Sequence, residues 1–114
     1  MESFHRITAL DPFEPGEPPL DRIVEGTPRT RTWNSEESAD GTRHAGLWEA
    51  TPGAWKIAYD EWEFCTILSG ISEIEDEMGR VHRLEAGDSF VIRPGFSGIW
   101  RVIETTRKAY VICL

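Results

Sequence analysis

The stretch EFCTILSG, from Glu63 to Gly70, shows most directly how this chain folds. In a β-strand alternate side chains lie on opposite faces. One face of this stretch then carries Glu63, Cys65 and Ile67, and the other carries Phe64, Thr66 and Leu68. Both faces are largely apolar, which predicts a strand buried on two sides, as in a barrel covered by an outer layer or a dimer interface. A carboxylate there is costly unless it is paired, coordinated or hydrogen-bonded, so Glu63 needs a partner.

The same rhythm runs through the rest of the chain from Thr30 onward. Short segments rich in β-branched and aromatic residues alternate with Gly, Pro, Asp or Ser, and no stretch has a sustained helical period. The predicted strands are Thr30–Trp33, Ala45–Ala50, Trp55–Tyr59, Glu63–Leu68, Ile71–Glu75, Val81–Leu84, Ser89–Ile92, Gly98–Ile103 and Lys108–Cys113. An all-β sandwich or barrel is therefore expected.

The segment before these strands has a different composition. Five of the seven prolines fall within residues 12–28, in a stretch that cannot sustain a helix or a central strand. We therefore expect an extended N-terminal arm over residues 1–29 and a barrel over residues 30–114. The arm could lie along the barrel, cross a partner subunit or fray as a tail.

Length and charge narrow the functional classes. The chain has 114 residues and a mass of 13.0 kDa, the size of one domain. Twelve basic against twenty acidic residues give a net charge of −8, which argues against nucleic acid or anionic membrane as a partner. The N-terminus shows no apolar core of a signal peptide, and Cys65 and Cys113 form no disulfide pattern, so the expected location is cytoplasmic.

Two motifs resemble those of the cupin superfamily. They are EFCTILSG, with Glu63 and Gly70, and LEAGDSFVIRPG, from Leu84 to Gly95. More narrowly, GLWEATPGAWKIAYDEWEFCTILSG and GFSGIWRVIETTRKAYVI resemble small single-domain cupins related to the cupin domains of ureidoglycine aminohydrolase. The resemblance implies a single-domain cupin β-barrel, that is, a double-stranded β-helix or RmlC-like jelly roll, preceded here by the Pro-rich arm. It also implies a homodimer.

The metal ligands typical of that family are largely missing. Its His-x-His pair would fall on Ile57 and Tyr59, or with one more residue of spacing on Lys56 and Ala58, and its third histidine on Gly98. Only Glu63 of the four ligand positions is kept. Because a transition metal needs three or four protein donors, we expect no cupin-type metal centre and no cofactor.

The interior expected in place of a metal is an apolar and aromatic pocket with one acid and one thiol. The candidate catalytic residues are Glu63 as acid or base, with Tyr59 or Lys108 to orient a substrate. The candidate ligand-binding residues are Ile57, Cys65, Ile67 and Trp100. A structural interpretation stays open for each: Glu63 could simply pair with Lys56, Arg101 or Lys108, Tyr59 and Cys65 could be ordinary core residues, and the direction in which Lys108 faces is undecided because both faces of its strand carry apolar residues.

Three functions fit these residues. The first is an enzyme, or former enzyme, that converts a small polar metabolite in the barrel. The second is a metal-free module that binds or senses a small ligand. The third is a dimeric scaffold whose barrel is simply packed. Whether the protein is catalytic is left open by the sequence, because the residues that would activate a substrate in a metal-dependent cupin are absent.

Overall fold

The computed structural model describes residues 2–114, which form nine β-strands and one short 3-10 helix, Leu20–Arg22. In chain order the strands are β1 (Glu14–Gly16), β2 (Ile23–Gly26), β3 (Thr30–Glu37), β4 (Arg43–Ala50), β5 (Gly53–Ala58), β6 (Trp62–Glu75), β7 (Val81–Glu85), β8 (Ser89–Ile92) and β9 (Ser97–Cys113). The all-β prediction is confirmed. No helix within residues 2–114 has the length and apolarity needed to cross a membrane.

All strand pairs are antiparallel, and the long strands β6 and β9 belong to two layers at once. β4 pairs with residues 106–113 of β9, whereas β5 pairs with residues 97–102. On the other side of β6, β8 pairs with residues 63–66 and β7 with residues 71–75. One layer is therefore β1-β3-β4-β9-β6-β8, and the other is β2-β5-β9-β6-β7.

The two layers face each other across an aromatic interior, as in a cupin jelly roll. The ring of Phe90 on β8 lies 6.1 Å from that of Trp100 on β9, and Trp48 on β4 lies 6.1 Å from Trp55 on β5. The buried cluster consists of Ala50, Trp55, Ile67, Ile74, Leu84, Ile92, Trp100 and Val102. The site described below opens beside this cluster.

Two pairs of predicted strands are single strands in the structure. Glu63–Leu68 and Ile71–Glu75 are the halves of β6, while Gly98–Ile103 and Lys108–Cys113 are the halves of β9. The separation into four strands was wrong, because each strand bends at the corner between the layers and continues. Gly70, at φ 88°, lies at that corner, where the β6–β9 register shifts between Ile67 and Ser72.

The segment before Thr30 packs on the chain's own barrel. β1 pairs with β3 and β2 with β5, so each layer gains one short edge strand. The ring of Phe13 lies 5.5 Å from that of Trp33, whose Nε1 donates to the carbonyl oxygen of Asp11 at 2.9 Å. The proline content is consistent with strands confined to an edge. Met1, the first residue of the predicted arm, lies outside the described residues.

Candidate functional site

A cavity of about 320 Å³ opens between the two layers, beside the loop that joins β5 to β6. Its floor and walls come from β3, β4, β5, β6 and β9. The lining residues are Thr32, Trp48, Trp55, Ile57, Tyr59, Glu61, Glu63, Trp100, Lys108, Tyr110 and Ile112. The volume is at the lower end of the range for small-molecule sites, and an apolar lining with a few polar groups is usual for them.

The polar centre of this cavity is a three-residue group around Glu63. The Tyr59 hydroxyl donates to Glu63 Oε1 at 2.6 Å, and the Lys108 ammonium donates to Glu63 Oε2 at 3.1 Å. Glu63 is only 3% exposed and Lys108 only 5%. Each carboxylate oxygen thus receives one donor, which satisfies the requirement that the sequence placed on Glu63.

Two aromatic rings in the cavity wall also contact the ammonium group of Lys108. Its Nζ lies 4.6 Å from the centre of the Trp48 ring and 4.8 Å from that of Trp100. The ring faces are the negative ends of the aromatic quadrupoles, so they favour an ammonium group. Lys108 is on β9, opposite Trp48 on β4 and Ile67 on β6, and therefore faces inward.

The hydroxyl of Tyr59 acts in this site as a hydrogen-bond donor. Burial, and then the negative charge of Glu63, raise its pKa well above the usual value for a tyrosine. The phenol therefore stays protonated throughout the physiological pH range and is no base. Burial also raises the pKa of Tyr110 to about 12, and that hydroxyl donates to Asn34 Oδ1 at 2.7 Å.

Cys65 and Ile67 lie beneath this cavity and are not part of its lining. Cys65 is fully buried and Ile67 is 1% exposed. Burial raises the pKa of the Cys65 thiol to about 12, with Glu63 adding to the rise and Lys108 opposing it. A thiol that stays protonated is a poor nucleophile, so the structure favours the small buried hydrophobe over the nucleophile.

The structure brings five of the seven predicted site residues together on the cavity surface: Ile57, Tyr59, Glu63, Trp100 and Lys108. Sequence reasoning missed the other six lining residues: Thr32, Trp48, Trp55, Glu61, Tyr110 and Ile112. The five tryptophans of the chain fit an aromatic core and an interface equally well. Their number could not say which indoles share a cavity, because that depends on which strands pair.

The residues around Glu63 do not fit a cupin metal. Both of its oxygens already accept hydrogen bonds, and the positively charged Lys108 lies 3.1 Å from one of them. A side chain at Gly98, the position of the third family histidine, would overlap the carbonyl oxygen of Glu75. Within residues 2–114, no group of three or more His, Cys, Asp or Glu is placed to hold a metal ion.

Fold and site together define a cupin barrel with a buried ion pair, Glu63–Lys108, at the wall of its cavity. Comparison with known families agrees: residues 37–110 match the model of the EutQ-like cupin domain, so the chain belongs to that family. The predicted cupin superfamily is thereby confirmed. No functionally curated protein matches the chain.

Several solved structures are similar. A DUF861-family protein of unknown function from Pseudomonas syringae pv. tomato has a TM-score of 0.83 at 21% identity, over 93% of this chain and 46% of its own. This chain therefore spans about half of that protein. A putative ethanolamine utilization protein Q from Salmonella typhimurium has a TM-score of 0.66 at 19% identity, over 85% and 77%. A DUF861-family protein from Thermotoga maritima is 34% identical over 56% of this chain and 73% of its own, with a TM-score of 0.54.

Proposed function

We propose that this protein binds a small polar metabolite in the cavity beside Glu63, Tyr59 and Lys108, without a cupin-type metal centre. The observation that carries the proposal is a buried ion pair that borders an open cavity. Taking both charges out of water is expensive, and apolar residues of similar size often serve a packed core as well or better. A pair kept at a cavity wall is explained if it contacts a ligand.

A packed dimeric scaffold is the alternative, and two features disfavour it. A scaffold gives no reason for a cavity that opens beside a buried ion pair, because apolar residues of similar size would serve a packed interior as well or better. The indole Nε1 of Trp100, in the wall of the cavity, is a buried donor with no acceptor among the described residues. A buried donor without an acceptor is rare in a simply packed core.

The roles follow from the contacts. As an acid or base, Glu63 would exchange one of its two donors, Tyr59 or Lys108, for a proton of the ligand, while the other donor holds its second oxygen. Tyr59 orients the ligand, Lys108 holds the carboxylate of Glu63 in place, and Ile57 and Trp100 form the apolar wall of the site. Cys65 and Ile67 support that wall from behind. The same arrangement serves a ligand-binding or sensing module if no proton transfer occurs.

The test is a thermal-shift screen of small amides, ureides, carboxylates and organic amines on the wild type, Glu63→Ala and Tyr59→Phe. We expect a ligand to raise the melting temperature of the wild type but not of Glu63→Ala, and to raise that of Tyr59→Phe less. Tyr59→Phe removes only a hydroxyl, so it remains informative if Glu63→Ala folds poorly. Glu104→Gln is the control, because it removes an exposed carboxylate outside the cavity lining.

The outcomes separate the three functions. Hits that NMR shows to be chemically altered on incubation identify an enzyme, and unaltered hits identify a binding module. A flat response across the whole set, with all variants folded, would contradict the proposal and leave the scaffold.

We also propose that the protein is a cytoplasmic homodimer, with a small molecule rather than nucleic acid or membrane as its ligand. Two free cysteines are consistent with a reducing compartment. Exposed apolar residues on the outer face of one layer support the dimer, whose test is argued in the Discussion.

A further inference from the structure

We infer that the ligand of this cavity carries a positive charge, as an organic ammonium group held between aromatic side chains and the carboxylate of Glu61. The inference rests on the proposed function and adds the chemical class of the ligand. It follows from the charges of the cavity, the field at its mouth and the nature of its walls.

Among the charged residues that line the cavity, one carboxylate, that of Glu61, has no cationic side chain paired with it within residues 2–114. The charged side chains there are Glu61, Glu63 and Lys108. Lys108 and Glu63 neutralise each other at 3.1 Å. Glu61 accepts a hydrogen bond from the backbone N–H of Asp60 at 3.1 Å and forms no ion pair with any of the residues 2–114. A ligand that enters meets a net charge of −1, located at Glu61.

The mouth reinforces this charge. Glu61 also borders a neighbouring surface cavity, which shares Thr32, Tyr110 and Ile112 with the first and adds Glu14 and His44. His44 lies 3.3 Å from the carboxylate of Glu37, which balances the positive charge of a protonated imidazole. The chain as a whole carries −8. Fields of one sign at a cleft concentrate ligands of the opposite sign, so cations are drawn in and anions are repelled.

The walls have the chemistry that accommodates an ammonium group. Lys108 already demonstrates this, since its Nζ lies against the rings of Trp48 and Trp100. Trp55, Tyr59 and Tyr110 line the same cavity, and no Lys or Arg among residues 2–114 lies over their rings. Aromatic cages of this kind are the general solution for binding alkylated ammonium ligands.

An anionic ligand is the opposite case. It would have to compete with Glu63 for Lys108 and leave that carboxylate buried without its partner, which is strongly unfavourable. It would also approach Glu61. A neutral ligand meets neither obstacle, but it gains nothing from Glu61 or from the ring faces.

The experiment uses three probes of nearly the same shape on the full chain: choline, the neutral 3,3-dimethylbutan-1-ol and the anionic 3,3-dimethylbutanoate. Binding is followed by tryptophan fluorescence and by saturation-transfer NMR. We expect choline to bind about tenfold or more tightly than the alcohol, the order of a desolvated cation–aromatic contact. The carboxylate should bind weakest.

Two variants test whether the carboxylate of Glu61 causes the preference for a cationic ligand. Glu61→Gln should remove most of the preference for choline over the alcohol, whereas Glu104→Gln, with the same change of net charge, should keep it. Binding of the alcohol or the carboxylate as tightly as choline would overturn the inference and leave the proposed function intact. An equal loss of preference in both variants, or no saturable binding of any probe, would overturn it as well. The wider screen with Glu63→Ala and Tyr59→Phe decides the proposed function separately.

Discussion

Lys108 stands in this barrel as a fixed internal cation. Its ammonium balances Glu63 at 3.1 Å and is enclosed by two indole rings. An ion pair exposed to solvent contributes little to the free energy of unfolding, but Glu63 and Lys108 are both almost fully buried. Removal of either partner leaves the other charge without compensation, so the pair behaves as a unit.

We expect Lys108→Met to destabilise the protein by about 3–5 kcal/mol, the cost of breaking a buried pair from one side. The double variant Lys108→Met with Glu63→Gln should recover much of that loss, because no buried charge remains. Urea denaturation of the wild type, both single variants and the double variant measures the coupling.

A matched control is Arg83→Met, since Arg83 pairs with Glu85 and both side chains are 57% exposed. It should change the free energy of unfolding by no more than about 1 kcal/mol. A loss below about 1 kcal/mol for Lys108→Met would show that the pair is not buried as the structure has it.

At the residue scale, the sequence identified Glu63 from one principle, the cost of a carboxylate in a two-sided apolar strand. It proposed Lys56, Arg101 and Lys108 as partners and could not choose. Lys56 is exposed, and Arg101 lies on the other side of β9, 3.7 Å from Glu25. Only strand pairing and direction distinguish the three, and neither can be read from the spacing of charges.

At the scale of elements, the direction of the Lys108 side chain depends on whether β9 is one strand or two. The buried residues Trp100, Val102, Thr106 and Lys108 all have the same parity, so the inward face is the same on both sides of the exposed segment 103–105. A single strand with Trp100 inside therefore puts Lys108 inside too. When β9 is divided into two strands, the inward face of the first half no longer determines that of the second. The sequence analysis therefore left the direction of Lys108 undecided.

β6 differs because its alternation changes phase at Gly70. Cys65 and Ile67 are buried before the corner, and Ser72 and Ile74 after it. The step from Ile67 to Ser72 is five positions, an odd number, so the buried face changes parity at the corner, as a bulge requires. A Cβ on Gly70 would overlap the carbonyl of Thr105 on β9, so only glycine permits this close approach.

We expect Gly70→Ala to destabilise the protein by more than 2 kcal/mol, on the order of left-handed strain plus displacement of β9. Gly79→Ala is the matched control: its φ is 79°, close to the 88° of Gly70, but a Cβ there meets no atom within 4 Å. It should cost about 1 kcal/mol, the backbone strain alone. Thermal and urea denaturation measure both, and equal losses would show that the corner tolerates a side chain.

A second link between elements lies at Glu49 on β4. Its carboxylate accepts hydrogen bonds from Arg31 on β3 and from Arg107 on β9, the latter at 2.8 Å. Burial opposes ionisation of Glu49, but the two guanidinium groups outweigh it and hold the pKa of the carboxyl below its ordinary value. One side chain thus joins three strands of a layer.

We expect Glu49→Gln to destabilise the protein by about 1–3 kcal/mol at pH 7, the value of hydrogen bonds to a charged group. Because the folded-state pKa is lowered, the stabilisation is complete above the unfolded value of about 4.3 and is lost as the pH falls through the folded value. The difference between variant and wild type should therefore shrink below about pH 4. Urea denaturation at several pH values tests this, and a difference that is constant or grows in acid would contradict it.

For the whole molecule, the outer face of the layer that contains β8, β6, β9 and β4 is unusually apolar. Phe64 on β6 is paired directly with Val91 on one side and with Val111 on the other, and Val111 is paired with Ala45. The exposed fractions of Phe64, Val91 and Val111 are 38%, 38% and 39%. The sequence predicted this second apolar face from the alternation in EFCTILSG, and a partner that covers it would explain why both faces of β6 are apolar.

We expect the protein to sediment as a species of twice 13.0 kDa at micromolar concentration, with two copies pairing these rows around a two-fold axis. The double variant Phe64→Lys with Val91→Lys places two lysines in each copy, and so four like charges near that axis. It should sediment as a monomer, while circular dichroism shows an unchanged fold. Met78→Lys is the control, because Met78 is 76% exposed in the β6–β7 turn, away from the row. A wild type that remains at 13.0 kDa, or a dimer that survives both lysines, would exclude this face as the interface. The aromatic cavity lies on the inner face of the same layer, so ligand binding measured on the monomeric variant would also show whether the site is complete within one chain.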